Sequence, residues 1–143
     1  MLVQENNNDT FNEMMRLIRT NLLFVSASQE KVINVMSSIS GEGKTFTSAN
    51  LAQSLALLDK KVLMIELDIR KPKLAEFLKI ENDKGITLYL SGQLSKEELI
   101  VPTAIHPNLY FIPSGPIPPN PNELLAKKEL DTLIEDLRDQ FDF

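Results

Sequence analysis

A glycine-containing loop between an apolar run and a helical segment constrains this chain more than any other feature. Residues 32–36 are apolar and rich in β-branched side chains, which is typical of a buried strand. Residues 44–58 carry apolar side chains at helical spacing. The loop between them ends in the run SGEGKT at residues 40–45. A strand, such a loop and a helix in this order predict a P-loop, whose backbone N–H groups cradle phosphate.

The residues of this loop suggest their own roles. Lys44 is predicted to reach the β- and γ-phosphates of a nucleoside triphosphate, and the hydroxyl of Thr45 to bind Mg²⁺. The general pattern begins with glycine six residues before the lysine, and this chain has Ser38 there. The predicted nucleotide-binding residues are Ser40, Gly41, Glu42, Gly43, Lys44, Thr45 and Phe46.

A second buried strand is predicted at residues 62–65, and two carboxylates, Glu66 and Asp68, follow it. Strand, helix and strand within about 35 residues indicate a parallel sheet with a right-handed crossover. Because ligands bind beyond the carboxyl ends of such strands, Glu66 and Asp68 are expected beside the P-loop, sharing one side. A carboxylate pair there suggests Mg²⁺ coordination or activation of an attacking hydroxyl. The alternative is a solvated turn with a helix-capping Asp.

The remaining segments are predicted as follows. Residues 1–9 read as a polar, disordered lead-in, and a capping box from Thr10 to Glu13 starts a helix over residues 10–24. Residues 26–30 read as a linker, and residues 141–143 as the first steps of a further strand. The other predicted elements are a strand at 109–112 and helices at 73–78, 86–90, 96–100, 122–126 and 129–138.

Two further patterns carry open interpretations. Residues 114–121 are dense in proline, which suggests either a rigid path beside the site or a stiff surface connection. Glu13, Arg16 and Arg19 are spaced by three on the first predicted helix, so successive side chains lie near one another. From spacing alone, a capping glutamate and an intrahelical ion pair on a solvated face explain them.

Composition limits the classes of protein. The 143 residues suffice for one domain, and 43% apolar residues suffice for a core. The net charge of −5 argues against a general nucleic-acid binder. The chain has no cysteine, which excludes disulfides and thiolate metal sites. No apolar run approaches the roughly 20 residues of a membrane helix and the N-terminus lacks a signal-peptide pattern, so a cytoplasmic chain is expected.

Four segments, in this order, resemble the cytoplasmic kinase domain of bacterial tyrosine kinases, the P-loop autokinases of capsule and exopolysaccharide synthesis. The resemblance covers residues 11–143, and it implies a three-layer α/β/α P-loop fold with a mainly parallel sheet. The segments are RTNL at residues 19–22, GEGKT at 41–45, DIRKP at 68–72 and SGPIPPNP at 114–121.

This resemblance implies activity and partners that spacing does not. It implies transfer of the γ-phosphoryl of ATP to tyrosine hydroxyls, largely on a neighbouring subunit. Lys44, Glu66 and Asp68 would be catalytic, with Mg²⁺ held by Thr45 and the two carboxylates. Glu13, Arg16 and Arg19 would mediate ring-like oligomers. The implied partner is a membrane polysaccharide co-polymerase module, separate or fused, which would place the chain at the inner face of the plasma membrane.

The sequence also departs from the family pattern. The second acidic motif usually begins with Asp, and here it begins with Glu66. The family's Walker B strand follows a segment like residues 141–143, so residues 10–143 are expected to form a kinase domain that is incomplete at its C-terminus. The strand at 32–36 would then expose an apolar edge. Weak nucleotide binding and little or no kinase activity are expected of the chain alone.

Two alternatives remain. The first is a non-kinase P-loop ATPase of the partitioning or septum-site type, which carries a signature lysine five residues before the P-loop lysine. This chain has Ile39 at that position, which counts against it. The second is a non-enzymatic oligomerisation module that uses the first helix.

Overall fold

A computed structural model describes residues 2–25 and 31–143 of the chain. The predicted linker at 26–30 lies outside the described residues. Most other predicted elements are present, with ends that differ by a few residues. The elements are α1 (Thr10–Val25), α2 (Lys44–Ala56), β1 (Val62–Ile65), α3 (Leu74–Leu78), α4 (Ile86–Leu90), β2 (Val101–Pro102), β3 (Leu109–Ile112), α5 (Pro121–Leu125) and α6 (Lys128–Arg138).

The three strands form one sheet in the order β1-β3-β2. β1 and β3 are parallel, with Val62 opposite Leu109 and Ile65 opposite Ile112, whereas β2 pairs antiparallel with β3. Since side chains alternate along a strand, β1 contributes apolar groups to both faces of the sheet. Strands that are buried on both faces are typical of α/β folds, so the α/β class is as predicted, although the described sheet is mixed and only its longer pairing is parallel.

Two apolar clusters cover the two faces of this sheet, which gives three layers. The first cluster contains core residues from α1, α2 and α3, and the second contains core residues from α4, α5 and α6. Phe111 and Leu109 lie in the first cluster, and Ile112 lies in the second. The layers place the carboxyl ends of β1 and β3 side by side, where the candidate site begins.

The strand predicted at residues 32–36 is not formed in the described structure, where residues 31–37 belong to no helix or strand. A cavity of about 710 Å³, lined by residues 31–37 and by β1, separates this segment from the sheet. With no strand beside it, the segment has no ladder to join. Val32 is 53% exposed and Met36 is 80% exposed, as an unpaired apolar edge requires. The residue pattern predicted a buried strand at 32–36, but such a pattern does not show which strand it would pair with.

The last residues run along the other edge of β1. Leu63 donates its N–H to the carbonyl of Phe143 at 2.9 Å, and Asp142 donates to the carbonyl of Lys61 at 2.8 Å. These are bonds of the kind that begin a parallel ladder. The predicted strand start at 141–143 therefore has matching contacts, although it is not a strand.

The prediction of a disordered lead-in is wrong for the described residues 2–9. Val3 is 2% exposed, and its N–H donates to Oδ1 of Asn50 on α2 at 2.8 Å. The N–H of Gln4 donates to Oδ1 of Asn12 on α1 at 2.6 Å. We call residues 2–9 the N-terminal strap. Its anchors are asparagines inside helices, and helical patterns give no sign of such a role.

The cap of α1 lies one residue earlier than predicted. Asp9, rather than Thr10, accepts the N–H of Asn12 at 2.9 Å, which is the bond of an N-cap residue. The hydrogen bonds from the backbone and the side chain of Asn12 lower the pKa of Asp9. The carboxylate is therefore held in its charged form at the positive end of the helix.

Two other features concern helices. Residues 96–100, predicted as a helix, form only a turn, in which Leu99 donates its N–H to the carbonyl of Lys96. Within residues 2–25 and 31–143, every helix falls short of the length and apolar character needed to cross a membrane.

Candidate functional site

The P-loop has the backbone geometry that its glycines allow. Gly41 has a φ of 95° and Gly43 a φ of 90°, both in the left-handed region that favours glycine. Gly43 immediately precedes α2 and accepts the N–H of Thr47 at 2.8 Å. A Cβ added at either glycine would meet nothing within 4 Å. The loop thus leaves open space above the start of a helix, where an anion is favoured.

Glu42 braces this loop from within. Its Oε2 accepts the N–H of Ser38 at 2.8 Å and of Ile39 at 3.3 Å. A carboxylate is an anion, so it satisfies N–H groups that would otherwise point into water or toward another anion. The side chain of Glu42, predicted to contact the nucleotide, accepts hydrogen bonds from the backbone of its own loop in this structure.

Lys44 and Asp68 form the central ion pair of the site. Lys44 Nζ lies 2.9 Å from Asp68 Oδ2, and their side chains are 36% and 38% exposed. Burial alone would raise the pKa of Asp68, but the hydrogen bond from Lys44 and the N–H of Lys71 outweigh it, so the pKa is lowered. Asp68 is therefore ionised at neutral pH. The structure brings the P-loop lysine and the second acidic motif together, although a half-exposed pair contributes only about 0.2–1 kcal/mol to stability.

Glu66 does not join Asp68 in facing the P-loop lysine, which corrects the expected paired carboxylate. It is 6% exposed, and its two oxygens accept the N–H groups at the start of α3. Oε1 accepts from Lys73 at 2.8 Å and from Leu74 at 2.7 Å, while Oε2 accepts from Ala75 at 3.4 Å. Glu66 thus caps α3. A carboxylate of this motif does cap a helix, as the alternative interpretation proposed, but the capping residue is Glu66 rather than the aspartate.

The oxygen groups that remain for Mg²⁺ are few. Thr45 and Asp68 line the same cavity, which also contains Lys44. Among residues 2–25 and 31–143, no group of three or more His, Cys, Asp or Glu side chains is placed to hold a metal. Mg²⁺ keeps several waters and is commonly bound through one or two protein oxygens plus substrate phosphates. The hydroxyl of Thr45 and the carboxylate of Asp68 fit such a Mg²⁺, held mainly by the nucleotide.

Phe46 packs toward α1. Its ring lies 5.5 Å from the ring of Phe11, and the residue is 39% exposed. Asn50, which anchors the N-terminal strap, donates its side-chain N–H to the carbonyl of Phe46 at 2.9 Å. The residue after the predicted Mg²⁺ ligand is therefore tied to α1 and to the strap, although it was predicted as a nucleotide contact.

The three predicted oligomerisation residues differ in their surroundings. Arg19 is 8% exposed and donates from Nη1 to the carbonyl of Ser54 on α2 at 3.0 Å. Arg16 donates to the carbonyl of Glu5 and to Oδ1 of Asn8 in the strap. These contacts replace the intrahelical ion pair suggested by spacing. Of the three, Glu13 is exposed, Arg16 is half-buried and Arg19 is buried.

The proline-rich segment is held rigidly at the carboxyl end of β3. Gly85 lies so close that an added Cβ would be 2.3 Å from Gly115 N and Pro113 O. Asn82 Oδ1 accepts the N–H of Gly115 at 2.8 Å, and Thr87 Oγ1 donates to the carbonyl of Pro116 at 2.9 Å. These contacts favour the interpretation of a fixed path over a loose connection. The sequence pattern did not point to Asn82 or Thr87 as braces.

A hydrogen bond joins the start of α5, directly after this segment, to the acidic motif. Arg70 Nη2 donates to Oδ1 of Asn122 at 3.1 Å. The residues just after β1 and the residues just after the proline-rich segment therefore lie together. This places the DIRKP and SGPIPPNP segments on one rim of the site.

Comparison with known proteins places this geometry in a family. The family model described as "CobQ/CobB/MinD/ParA nucleotide binding domain" matches residues 33–141. Tyrosine-protein kinase YwqD of Bacillus subtilis is 43% identical over 117 residues, which are 81% of this chain and 49% of that protein. Tyrosine-protein kinase CpsD of Streptococcus agalactiae is 38% identical over 92% of this chain and 57% of that protein. The chain thus spans about half the length of these two curated relatives.

Solved structures also match this chain. The kinase domain of Escherichia coli tyrosine kinase ETK matches with a TM-score of 0.91 and 30% identity, over 97% of this chain and 55% of that chain. The cell division ATPase MinD of Pyrococcus furiosus matches with a TM-score of 0.64 and 29% identity, over 76% of this chain and 46% of that chain. The described fold is therefore closer to the kinase domain than to the ATPase.

Proposed function

We propose that this chain, which belongs to the CobQ/CobB/MinD/ParA nucleotide-binding domain family and within it to the bacterial tyrosine kinases, is the ATP-binding part of a protein-tyrosine kinase. The observation that carries the proposal is the contact of Lys44 with Asp68 at 2.9 Å, at a P-loop in which Gly41 and Gly43 have left-handed backbone conformations. This contact joins the phosphate-binding loop to the acidic motif within one open site.

The residues of the chain divide the chemistry as follows. Backbone N–H groups of the P-loop and the start of α2 bind phosphate oxygens. Lys44 either breaks its ion pair with Asp68 or keeps it while also contacting the nucleotide, and so neutralises charge on the β- and γ-phosphates. Mg²⁺, when bound through Thr45 and Asp68, would neutralise charge on the transferred phosphoryl group. Asp68 is ionised at neutral pH because its pKa is lowered, so it can also orient an attacking hydroxyl.

Glu66 takes a supporting role in this proposal. Since its carboxylate holds three N–H groups of α3, it fixes the segment that follows Asp68. We infer that the family's aspartate at this position is replaced here by a residue that positions Asp68, and that Glu66 is not itself a metal ligand.

The similarity to tyrosine-protein kinases supports the proposed acceptor. We propose that the accepted hydroxyl is that of a tyrosine, and that the kinase regulates capsular or extracellular polysaccharide synthesis and export. Copies would associate through α1, where Glu13 and Arg16 are accessible. A membrane co-polymerase module, as adaptor or fused region, would hold the site at the inner face of the plasma membrane.

Nucleotide binding by the chain alone is expected to be weak. The P-loop of residues 38–43 is joined on one side to residues 31–37, which are in no strand of the described structure. A loop whose supporting strand is unpaired has more freedom to lose when it orders around phosphate. We therefore expect little kinase activity from these residues alone.

A septum-site type ATPase is the second candidate, because MinD shares the fold at 29% identity. Ile39 stands where that class carries its signature lysine, and the TM-score of 0.64 compares with 0.91 for the kinase domain. A non-enzymatic oligomerisation module is the third, and it is favoured if nucleotide binding is absent.

A long phosphotransfer assay separates these functions. The chain is incubated with Mg·ATP and a synthetic tyrosine peptide, and both phosphotyrosine and free phosphate are measured. We expect slow phosphotyrosine formation that Lys44→Met abolishes. Phosphate release without phosphotyrosine would favour the ATPase, and neither product together with no nucleotide binding would favour the oligomerisation module. Rapid phosphorylation by the chain would contradict the proposed low activity.

A further inference from the structure

Asn50 is a buried polar residue on α2 that the proposed chemistry does not use. It is 0% exposed and lies between Ala49 and Leu51 of the first apolar cluster. A buried amide is costly unless both its oxygen and its nitrogen are hydrogen-bonded. The oxygen accepts the N–H of Val3 at 2.8 Å, and the nitrogen donates to the carbonyl of Phe46 at 2.9 Å. The side chain therefore joins the N-terminal strap to the first turn of α2.

These two bonds depend on one another. The N–H of Val3 can bond only to the amide oxygen, and the carbonyl of Phe46 can bond only to the amide nitrogen. Together they fix which way the amide of Asn50 points. Without the strap, the oxygen would lose this donor and the amide would be free to turn. The strap thus keeps the amide nitrogen directed at Phe46.

The first turn of α2 carries the residues proposed to contact phosphate and Mg²⁺. The carbonyl of Lys44 accepts Oγ of Ser48 at 2.8 Å, and the carbonyl of Phe46 accepts Asn50. Side chains four residues later therefore hold the peptide groups on either side of Thr45. Since groups at a helix N-terminus bind an anion through their fixed direction, the bracing of this turn bears on phosphate binding.

The strap itself is held on two helices. Val3 is 2% exposed within the first apolar cluster. The N–H of Gln4 donates to Oδ1 of Asn12 at 2.6 Å, and Arg16 donates to the carbonyl of Glu5 at 3.1 Å. Those two anchors belong to α1, whereas the anchor of Val3 belongs to α2. The bond to Val3 is therefore the one that connects the strap to the helix of the P-loop.

We propose that Asn50 is a positioning residue of the nucleotide site, through which docking of the strap and binding of nucleotide favour each other. This rests on the proposed nucleotide binding at the P-loop. A docked strap and a bound phosphate both restrict the first turn of α2, so whichever comes second loses less conformational freedom. The coupling is reciprocal, because each event changes the equilibrium of the other by the same factor.

Two buried asparagines provide a matched pair of variants. Asn12 is also 0% exposed and also accepts an N–H of the strap, but it lies on α1. Both Asn50→Ala and Asn12→Ala should lower stability. Asn50→Ala should weaken Mg·ATP binding by roughly threefold to tenfold, the worth of one neutral hydrogen bond. Asn12→Ala leaves Val3 tied to α2, and its affinity should stay within about twofold. NMR titration measures both, and circular dichroism confirms that both variants fold.

Val3→Pro provides a second route that leaves Asn50 in place. Proline removes the N–H that donates to Asn50 and keeps an apolar side chain. Mg·ATP binding should weaken in the same direction as in Asn50→Ala. This variant decides the matter if Asn50→Ala does not fold, because unchanged affinity in Val3→Pro would then overturn the coupling.

Hydrogen exchange measures the reciprocal effect. Saturating Mg·ATP should slow exchange of the Val3 amide by roughly threefold to tenfold in the unmodified chain, the same factor as the change in affinity. The same concentration of Mg·ATP should leave this amide unaffected in Lys44→Met.

The outcomes separate this coupling from the proposed nucleotide binding. Equal affinities of Asn50→Ala and Asn12→Ala, or a Val3 amide that does not respond to Mg·ATP, would overturn the positioning role. The proposed binding still stands in either case if the unmodified chain binds Mg·ATP and Lys44→Met does not. Absence of binding by the unmodified chain would overturn both.

Discussion

Two carboxylates that stand two residues apart receive different roles from the fold. Asp68 meets the P-loop lysine, whereas Glu66 turns to the start of α3. Their separation along the chain predicted a shared side, which holds only while the backbone stays extended. β1 ends at Ile65, so this condition fails at the two residues that matter.

Glu66→Gln separates capping from metal binding. The amide keeps one acceptor oxygen but places its N–H₂ group against backbone donors in a buried site. We expect a loss of about 1–3 kcal/mol in the free energy of unfolding, measured by urea denaturation. Glu76→Gln, an exposed change on the same helix, should stay within about 0.5 kcal/mol. Unchanged stability with a lost Mg²⁺ dependence of nucleotide binding would restore Glu66 as a ligand.

Asp68→Asn tests the ion pair of the site. Without Mg²⁺, Lys44 is released for phosphate, and ADP should bind up to about fivefold more tightly, since a half-exposed pair is worth at most about 1 kcal/mol. With Mg²⁺, the enhancement of binding should shrink because a metal oxygen is lost. Fluorescence titration with a labelled ADP measures both, and weaker binding without Mg²⁺ would contradict the release of Lys44.

The same ion pair fixes a direction with pH. The folded pKa of Asp68 is lowered from its ordinary value of 3.8, so its stabilisation is present above that value and is lost as pH falls through the folded pKa. Between pH 6 and 8, roughly two units or more above the ordinary value, Asp68 titration should therefore leave stability unchanged.

At the scale of elements, the proline-rich segment depends on a close backbone crossing. Gly85→Ala places a Cβ 2.3 Å from backbone atoms of the segment, and we expect a loss of about 3 kcal/mol in thermal or urea unfolding. Gly92→Ala is the control, because Gly92 has a φ of 77° but open space around it. Its cost should be about 1–2 kcal/mol. Equal costs would show that the crossing is not a packing constraint.

The unpaired segment before the P-loop makes a second prediction at this scale. Amides of residues 32–36 should exchange with solvent far faster than those of β3, because they lack a ladder in the described structure. Hydrogen exchange followed by mass spectrometry or NMR measures the difference. Protection of residues 32–36 equal to that of β3 would show that the segment is paired in a sheet.

The elements themselves were largely predictable from the residues. Helical spacing gave α1 and α2, and apolar β-branched runs gave β1 and β3, because these patterns are local. The prediction of a strand at 32–36 failed because strand pairing is not local. The prediction of a disordered lead-in failed because Val3 is held by Asn50, which lies 47 residues away. In the site, the P-loop and Asp68 followed from motif and topology. The capping by Glu66 and the burial of Arg19 depended on tertiary packing that spacing does not encode.

At the scale of the whole molecule, two packed faces of one sheet bring the P-loop and the acidic motif to the same crevice. The 710 Å³ cavity continues from that crevice between β1 and residues 31–37. The P-loop and the acidic motif thus form one side of the site, and the cavity lies on the other side. Such a molecule should bind nucleotide through its P-loop, but with less affinity than a fully supported loop.

The central claim is that Lys44 and the P-loop bind the phosphates of ATP. It is tested most directly by titrating Mg·ATP while following the NMR amide signals of Gly41 and Gly43, which detect weak binding at the site itself. We predict saturable shifts, weakened roughly tenfold to a hundredfold by Lys44→Met and unchanged by Lys128→Met on α6. Shifts that are absent, or that persist unaltered in Lys44→Met, would contradict the claim.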